Sequence, residues 1–415
     1  MKARTLLFSL LLMIYGGLLA QQRCDAYPYL QQQMAADPSL RLKLDAIETF
    51  TRNHSNPANY TSRNETNQII RIPVVVHILY HTADENISDA KVQSQLDILN
   101  KCFRRLNPDT THTPDYFRKY AADCDFEFVL ATSDPRKRST TGIIRKYTPV
   151  TLWQEDDKMK YSAQTGDDGW DSKSYLNIWV CNLERVMGYS TMPGGAAEKD
   201  GLVIGSSVFG GNNTDFTSGK TVVHETGHWL NLKHLWGDAY CGDDDVDDTP
   251  KQAGFNVGCP TGIRKTCGND ANGDMYMNYM DFTGDACMNM FTAGQRTRMR
   301  SLFDPGGARA SILSSTGLDV PVIFESPLPS DDPRWLHVQL YPNPATSTIT
   351  LDLAYDARWV GKSVQVTNAQ GQIIMQVLIT SKYQHIPVST LKPGIYFIMG
   401  KKEDGATIKE KFVRM

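Results

Sequence analysis

Beyond residue 20 the chain has no apolar run approaching the roughly 20 residues needed to cross a bilayer, so no stable transmembrane span is expected. Neither sign of charge dominates: 43 Lys and Arg stand against 46 Asp and Glu, a formal net charge of −3. A basic stripe and an interleaving of Arg with aromatic residues are both missing, which argues against a nucleic-acid partner. No internal repeat stands out. What remains is a chain of 415 residues, long enough for two or three domains and a sizeable core.

The N-terminus carries an export signal. Lys2 and Arg4 precede the apolar run LLFSLLLMIYGGLLA, residues 6–20, which ends in small residues. This is the layout of a signal peptide, with cleavage expected after Ala20. Cys24 lies a few residues too late to be a lipoprotein anchor. Export delivers the eight cysteines to an oxidising compartment.

The chain is organised around HETGHWLNLKH, residues 224–234. On a helix His224 and His228 leave the same face one turn apart, placed to share one Zn²⁺ at a Zn–N distance of about 2.0–2.1 Å. Glu225 is turned about 100° around the axis, which suits a general base for water at the metal's open position. His234 can join only if the helix breaks and the chain turns back. Position 231 is the break, where a left-handed residue is needed. Gly is the usual choice there and Asn the next most tolerant; this chain has Asn231. The eleven residues resemble the metzincin zinc signature, with Asn in the Gly place.

Ahead of this motif, residues 21–62 are polar and helix-tolerant and read as a propeptide. Its Cys24 is a candidate latency switch, because a thiolate can take the open position on zinc; the alternative is a disulfide partner. The loop 56–67 suits proteolytic cleavage. Strands are expected over 69–82, 126–132 and 175–183. Residues 186–195 are strand-like before looping, and 200–210 resume a strand just before the zinc helix. A strand near a zinc site can offer its edge to an extended peptide. Ser88 is expected to cap a helix with Val92, Leu96, Leu99, Phe103 and Leu106 on one stripe. After His234, CGDDDVDDTPKQ packs five aspartates into six residues, which suits Ca²⁺. Asp244, Asp245, Asp248 and Thr249 are the candidate ligands, against a merely solvated acidic loop. MYMNYMDF, residues 275–282, offers Met280 as a Met-turn whose sulfur floors the zinc site without ligating. Thr292 and Gln295 form a capping box for a last helix.

From HETGHW through the aspartate-rich loop to NYMDFTGDACMNMFTAGQ, the chain resembles the pappalysin family of secreted metallopeptidases, its compact bacterial members above all. The resemblance covers roughly residues 69–305. It implies a fold of class α+β, a two-subdomain metzincin with a cleft between a twisted mixed sheet and a helical half, together with endopeptidase activity, one zinc and structural calcium. It also implies disulfides Cys241–Cys267 and Cys259–Cys287, leaving the pairing of Cys24, Cys102, Cys124 and Cys181 open. Carried over in the same way, Asp285 would floor the pocket for the residue after the cut and select Arg or Lys. The bonds before Arg63 and Arg52 then become candidate self-processing sites. The chain departs from the family at Phe282, where a Tyr near the metal is common.

Composition shifts to a linker over 313–335, closing a catalytic domain expected at 63–312. Residues 336–415 alternate apolar and polar between Gly and Pro turns, the pattern of a small β-sandwich. YPNP, GQIIMQV, LKPGIYFI and the final KFVRM resemble the C-terminal sorting domain of type IX secretion substrates, which implies secretion and surface-attachment machinery as a partner. The chain thus reads as an exported zinc endopeptidase acting on proteins or peptides. The rival is a surface-displayed binding protein with a weakened zinc site, favoured by Asn231 and Phe282.

Overall fold

The computed structural model describes residues 22–55, 68–211, 218–269, 272–322, 338–353, 359–401 and 407–415. The expected signal peptide and Arg63 lie outside these residues.

A seven-stranded sheet forms the upper half of the larger, N-terminal part. Its strands are β1 (Gln22–Cys24), β2 (Ile70–Tyr80), β3 (Phe126–Leu130), β4 (Ile143–Tyr147), β5 (Leu176–Cys181), β6 (Val186–Ser190) and β7 (Leu202–Gly205). The order is β1-β6-β7-β5-β2-β3, with β4 also paired to β2. All neighbours run parallel except β6, which is antiparallel to β7. In β2 every residue but Arg71 is buried, as expected of a parallel strand covered on both faces. The expected strands are present with trimmed ends. β4 was not anticipated: IIRKY carries little alternation, and its pairing with β2 decides it.

The edge strand on this side is β1, contributed by the N-terminal segment and paired to β6. That segment continues as α1 (Ala26–Ala36) and α2 (Ser39–Ser55). Beneath the sheet lie α3 (Asp89–Phe103), the single turn α4 (Asp115–Arg118), α5 (Lys220–Trp229) and α6 (Ala293–Ser301). Ser88 caps α3 by accepting from the Lys91 amide. Leu106 does not share the apolar stripe and is 69% exposed. The helix ends at Phe103, and Arg105 at φ 50° throws the chain out of helical register. The capping box of Thr292 and Gln295 opens α6 as expected.

Two apolar clusters sandwich the sheet. The lower one joins Val74, Val76, Ile178, Leu202 and Ile204 to α3, α5 and the 275–303 segment. The upper one gathers Leu79, Trp153, Met159, Trp179, Tyr189 and Val203, with Tyr29 of α1 among them. The long irregular stretch between α5 and α6 is stapled by Cys241–Cys267 and Cys259–Cys287. Cys24, Cys102, Cys124 and Cys181 are buried and outside any disulfide. The chain stays with the seven-stranded sheet past residue 313, because the amides of Thr132 and Ser133 donate to the Gly317 carbonyl.

The C-terminal part has one sheet of β8 (Gln339–Tyr341), β9 (Thr348–Asp352) and β12 (Tyr383–Pro387). A second contains β10 (Ser363–Asn368), β11 (Ile373–Leu378), β13 (Gly394–Lys401) and β14 (Thr407–Arg414). Ile349, Leu351, Val364, Val366, Ile386, Ile398 and Phe412 fill the space between them, so the expected sandwich is present. Among the described residues no helix is long and apolar enough to cross a membrane.

Candidate active site

Every residue of α5 is buried. His224 and His228 project from it one turn apart. The helix stops at Leu230, and Asn231 takes φ 69°, the left-handed turn that brings His234 back. The three Nε2 atoms converge: His224 to His228 is 3.1 Å, His228 to His234 3.0 Å, and His224 to His234 3.3 Å.

Each ring is fixed from behind. The Nδ1 atoms lie 2.7 Å from the Tyr279 carbonyl, 2.8 Å from the Leu232 carbonyl and 2.5 Å from Asp238 Oδ1, for His224, His228 and His234 in turn. Those oxygens only accept, so the protons sit on Nδ1 and three lone pairs face one point. Burial, then the neighbouring imidazoles, push His224 and His228 well below the ordinary histidine range, which keeps them neutral. Three lone pairs so close repel one another unless a cation sits between them. Tetrahedral zinc with Zn–N bonds of about 2.0–2.1 Å has ligand-to-ligand edges of about 3.3–3.4 Å, so the donor set fits zinc. The Cys24 sulfur lies beside them: all four ligand atoms are within 4.8 Å of one another.

The floor and wall of the site are apolar. Met280 packs under α5 at Gly227, where an added Cβ would come within 2.4 Å of its sulfur. Phe282 lies 5.5 Å from the His224 ring and 4.9 Å from that of His234, and Trp236 stacks on His234 at 4.4 Å. Glu225 is wholly buried and accepts from Ser190 Oγ at 2.9 Å. Burial raises its carboxyl to about 7, against the lowering pull of hydrogen bonds from Cys24 and Ser190.

Asp285 is fully buried and is not a surface turn residue. Its Oδ2 accepts the amides of Ser218 and Lys220 at 3.0 and 3.1 Å, and its Oδ1 takes Arg23 Nη2 at 2.8 Å. Arg23 Nη1 also donates to the Thr283 carbonyl at 2.6 Å. Lys220 Nζ holds the same loop through the carbonyls of Asp285 and Met288.

In the aspartate-rich loop the four candidate calcium ligands bond to neighbouring protein groups. Asp244 accepts the Thr249 hydroxyl at 2.8 Å, and burial pushes its carboxyl up to about 7. Asp245 is paired with Lys233 and, at 2.6 Å, with Arg52. Asp248 takes the Thr292 hydroxyl at 2.6 Å and the Gly294 amide at 2.8 Å, at the start of α6. Asp244, Asp245 and Asp248 thus each have a donor of their own, while Cys24 and the three histidines form a group of His and Cys ligand atoms close enough to hold one metal ion.

Sequence reasoning missed Arg23, Ser190, Asp238 and Lys220. Asp238 had a usable signal, four residues past His234. Arg23 had one too, as the cation beside Cys24. Ser190 and Lys220 had none, because distant segments define their roles.

Residues 159–304 match the family model described as pregnancy-associated plasma protein-A, and residues 339–414 the model of a secretion system C-terminal sorting domain. An extracellular metalloprotease of Pyricularia oryzae is 44% identical over 248 residues, covering 56% of this chain and 75% of that protein. The chain belongs to the pappalysin family of metallopeptidases. Solved pappalysins superpose on its catalytic part. Tannerella forsythia mature mirolysin in complex with a cleaved peptide is 44% identical with a TM-score of 0.58, over 59% of this chain and 96% of that one. A Tannerella forsythia promirolysin mutant is 39% identical with a TM-score of 0.65, over 71% and 97%. This pappalysin is therefore a secreted metalloendopeptidase of metzincin fold carrying a type IX secretion tail, and the catalytic zinc its family implies matches the three-histidine cluster.

Proposed function

We propose that the chain is a zinc endopeptidase that cuts before Arg or Lys and is made latent by its own residues 21–62. The observation that carries this is the pair Arg23–Cys24: the guanidinium on buried Asp285, the next residue's sulfur among the three histidines. An arginine already seated on Asp285 is a template for the substrate residue after the cut, where a buried carboxylate favours a bidentate cation. The thiol blocks the position that water and the scissile carbonyl need. β1 also fills the edge of β6 that an extended substrate would use.

His224, His228 and His234 would hold the metal. Zinc, when bound, supplies Lewis acidity to the scissile carbonyl and makes water a nucleophile near neutral pH. Glu225 takes the proton of the attacking water and passes it to the leaving amine. A carboxylate beside the open position can serve both halves of that transfer. Ser190 orients it. Phe282 and Trp236 shield the histidines and keep water off their rings.

The direction of the substrate follows from the same pair. If the residue after the cut occupies the Arg23 place and the scissile carbonyl the Cys24 place, residues before the cut lie on the Ala26 side. The substrate then runs opposite to β1, so the inhibitory segment presents its backbone in the wrong sense for hydrolysis. Of the two processing candidates, Arg52 sits within α2, where a helical backbone does not enter a cleft; Arg63 is the better one. The sorting tail supplies the contact with secretion and surface-attachment machinery. A structural calcium in the aspartate-rich loop would have to draw Asp245 away from Lys233 and Arg52.

The two features that favoured a non-catalytic binding protein have structural roles. Asn231 adopts the left-handed turn, and Phe282 packs against two ligand rings. The test is digestion of a peptide mixture by the activated chain, with and without a chelator, reading termini by mass spectrometry. Chelator-sensitive cuts before Arg and Lys are expected, and Arg23→Ala and Cys24→Ala should raise the activity of the unprocessed chain. Cuts with no basic preference would remove Asp285 from its role.

A further inference from the structure

Tyr29 of α1 is inserted into the catalytic part and is 3% exposed. Its hydroxyl donates to Asp157, lying 2.8 and 2.9 Å from the two carboxylate oxygens. It accepts from Lys160 Nζ at 3.3 Å and from Gln33 Nε2 at 3.0 Å. The ring lies 4.7 Å from that of Tyr189 and 5.2 Å from Lys160 Nζ, within cation–π reach. Asp157 also receives Lys160 at 2.9 Å and Lys199 at 3.1 Å. Lys160 is a fully buried lysine, braced against the Lys199 carbonyl at 2.8 Å. Gln33 aside, all these partners belong to the catalytic part. The socket has an aromatic wall, a cation beside it and a charged acceptor at its end.

Its location gives it a use. β6 pairs Gly188 with Cys24, and Tyr189 is the next residue. Gly188 and Ser190 face Glu225, while Tyr189 faces the opposite side of the sheet, as alternation requires. A peptide lying along the edge of β6 sends alternate side chains to those two faces. The socket lies on the Ala26 side of Cys24, which is the side of residues before the cut.

We propose that the socket filled by Tyr29 in the latent chain becomes, once the N-terminal segment leaves, a substrate subsite for a tyrosine side chain a few residues before the scissile bond. This rests on the endopeptidase reading above and extends it. The phenol hydroxyl supplies the donor that Asp157 accepts, and phenylalanine leaves that carboxylate short of one partner. Burial and the Asp157 charge raise the Tyr29 phenol far above its ordinary range, so the group presented is the protonated donor. Mimicry is then twofold: Arg23 imitates the residue after the cut, and Tyr29 one before it.

The test uses the full chain after self-processing or trypsin nicking, with loss of residues 22–55 checked by N-terminal sequencing. Peptides with one internal Arg carry Tyr, Phe or Ala at each of the three positions before it. At one of those positions kcat/KM should favour Tyr over Phe by roughly tenfold or more, the scale of a hydrogen bond to a buried charge. Asp157→Asn should shrink that ratio. Equal rates for Tyr, Phe and Ala at all three positions overturn the inference, as does an active enzyme that retains residues 22–55. A second arm needs no catalysis. In unprocessed Tyr29→Ala, p-cresol should bind and raise Tm while toluene does not. A preparation that cleaves nothing yet binds p-cresol fails the endopeptidase reading and keeps the socket; equal binding of p-cresol and toluene removes the phenol selectivity.

Discussion

The zinc motif ends ten residues before Asp244 of the aspartate-rich loop, and both were read from the sequence by the same kind of argument, yet the fold aims their ligands by different means. In the first, His224 and His228 ride one helix, so the backbone period itself aims them. In the second, Asp244, Asp245 and Asp248 lie on irregular backbone with no period to fix their directions. There each carboxylate went to whichever donor the tertiary fold brought close: Thr249, Lys233 and Arg52, or the start of α6. Ligand spacing is informative where a regular element converts it into direction. On a loop the direction comes from the tertiary fold and from whatever ion is bound there.

The sharpest break of that contrast is Glu225→Ala. Zinc content by metal analysis should hold, since the three imidazoles are aimed by their own supports, while kcat/KM falls by about 10²–10⁴-fold. Loss of zinc together with activity would show the site to be less preorganised than its geometry implies. Next is the pH dependence of the acidic loop without added cation. The Asp244 carboxyl is raised in the fold to about 7, so its stabilising contribution is present below its unfolded value and is lost as pH rises through 7. From pH 5 to 8 the chain should therefore lose on the order of 2–4 kcal/mol through this group. Denaturant titration should show that loss flattened in Asp244→Asn. If millimolar calcium also flattens it in the unaltered chain, the loop does hold the cation and the contrast narrows.

A smaller effect is expected behind the ligands. Asp238→Ala removes the carboxylate on His234 Nδ1 and should weaken zinc affinity by about 10–100-fold, read by competition with a chromogenic chelator. The smallest belongs to the turn. Asn231→Gly relaxes a left-handed residue worth about 1 kcal/mol but gives up the 3.2 Å hydrogen bond to Thr51. Thermal melts of the latent chain should differ little, and those of the processed chain should favour Gly.

Much of the fold was legible because its signals are local. The β-branched run of β2, the Ser88 and Thr292 caps and the alternation in the tail each encode an element without reference to anything distant. The errors sit where local signals stop. Leu106 fits the helical period but lies beyond the turn at Arg105, and β4 has too little pattern of its own to be seen without β2.

The sequence alone determined the chemistry: three imidazoles and a carboxylate at spacings that a helix and one left-handed residue convert into a metal site. Tertiary structure alone decided what occupies that site and how it is aimed. Arg23 meets Asp285 across 262 residues, Ser190 reaches Glu225 from another strand, and Tyr29 finds Asp157 and Lys160 in the far face of the sheet. The physical reason is range. Backbone periodicity carries direction over only a few residues, whereas a buried charge is matched by whichever partner the packed fold brings into contact.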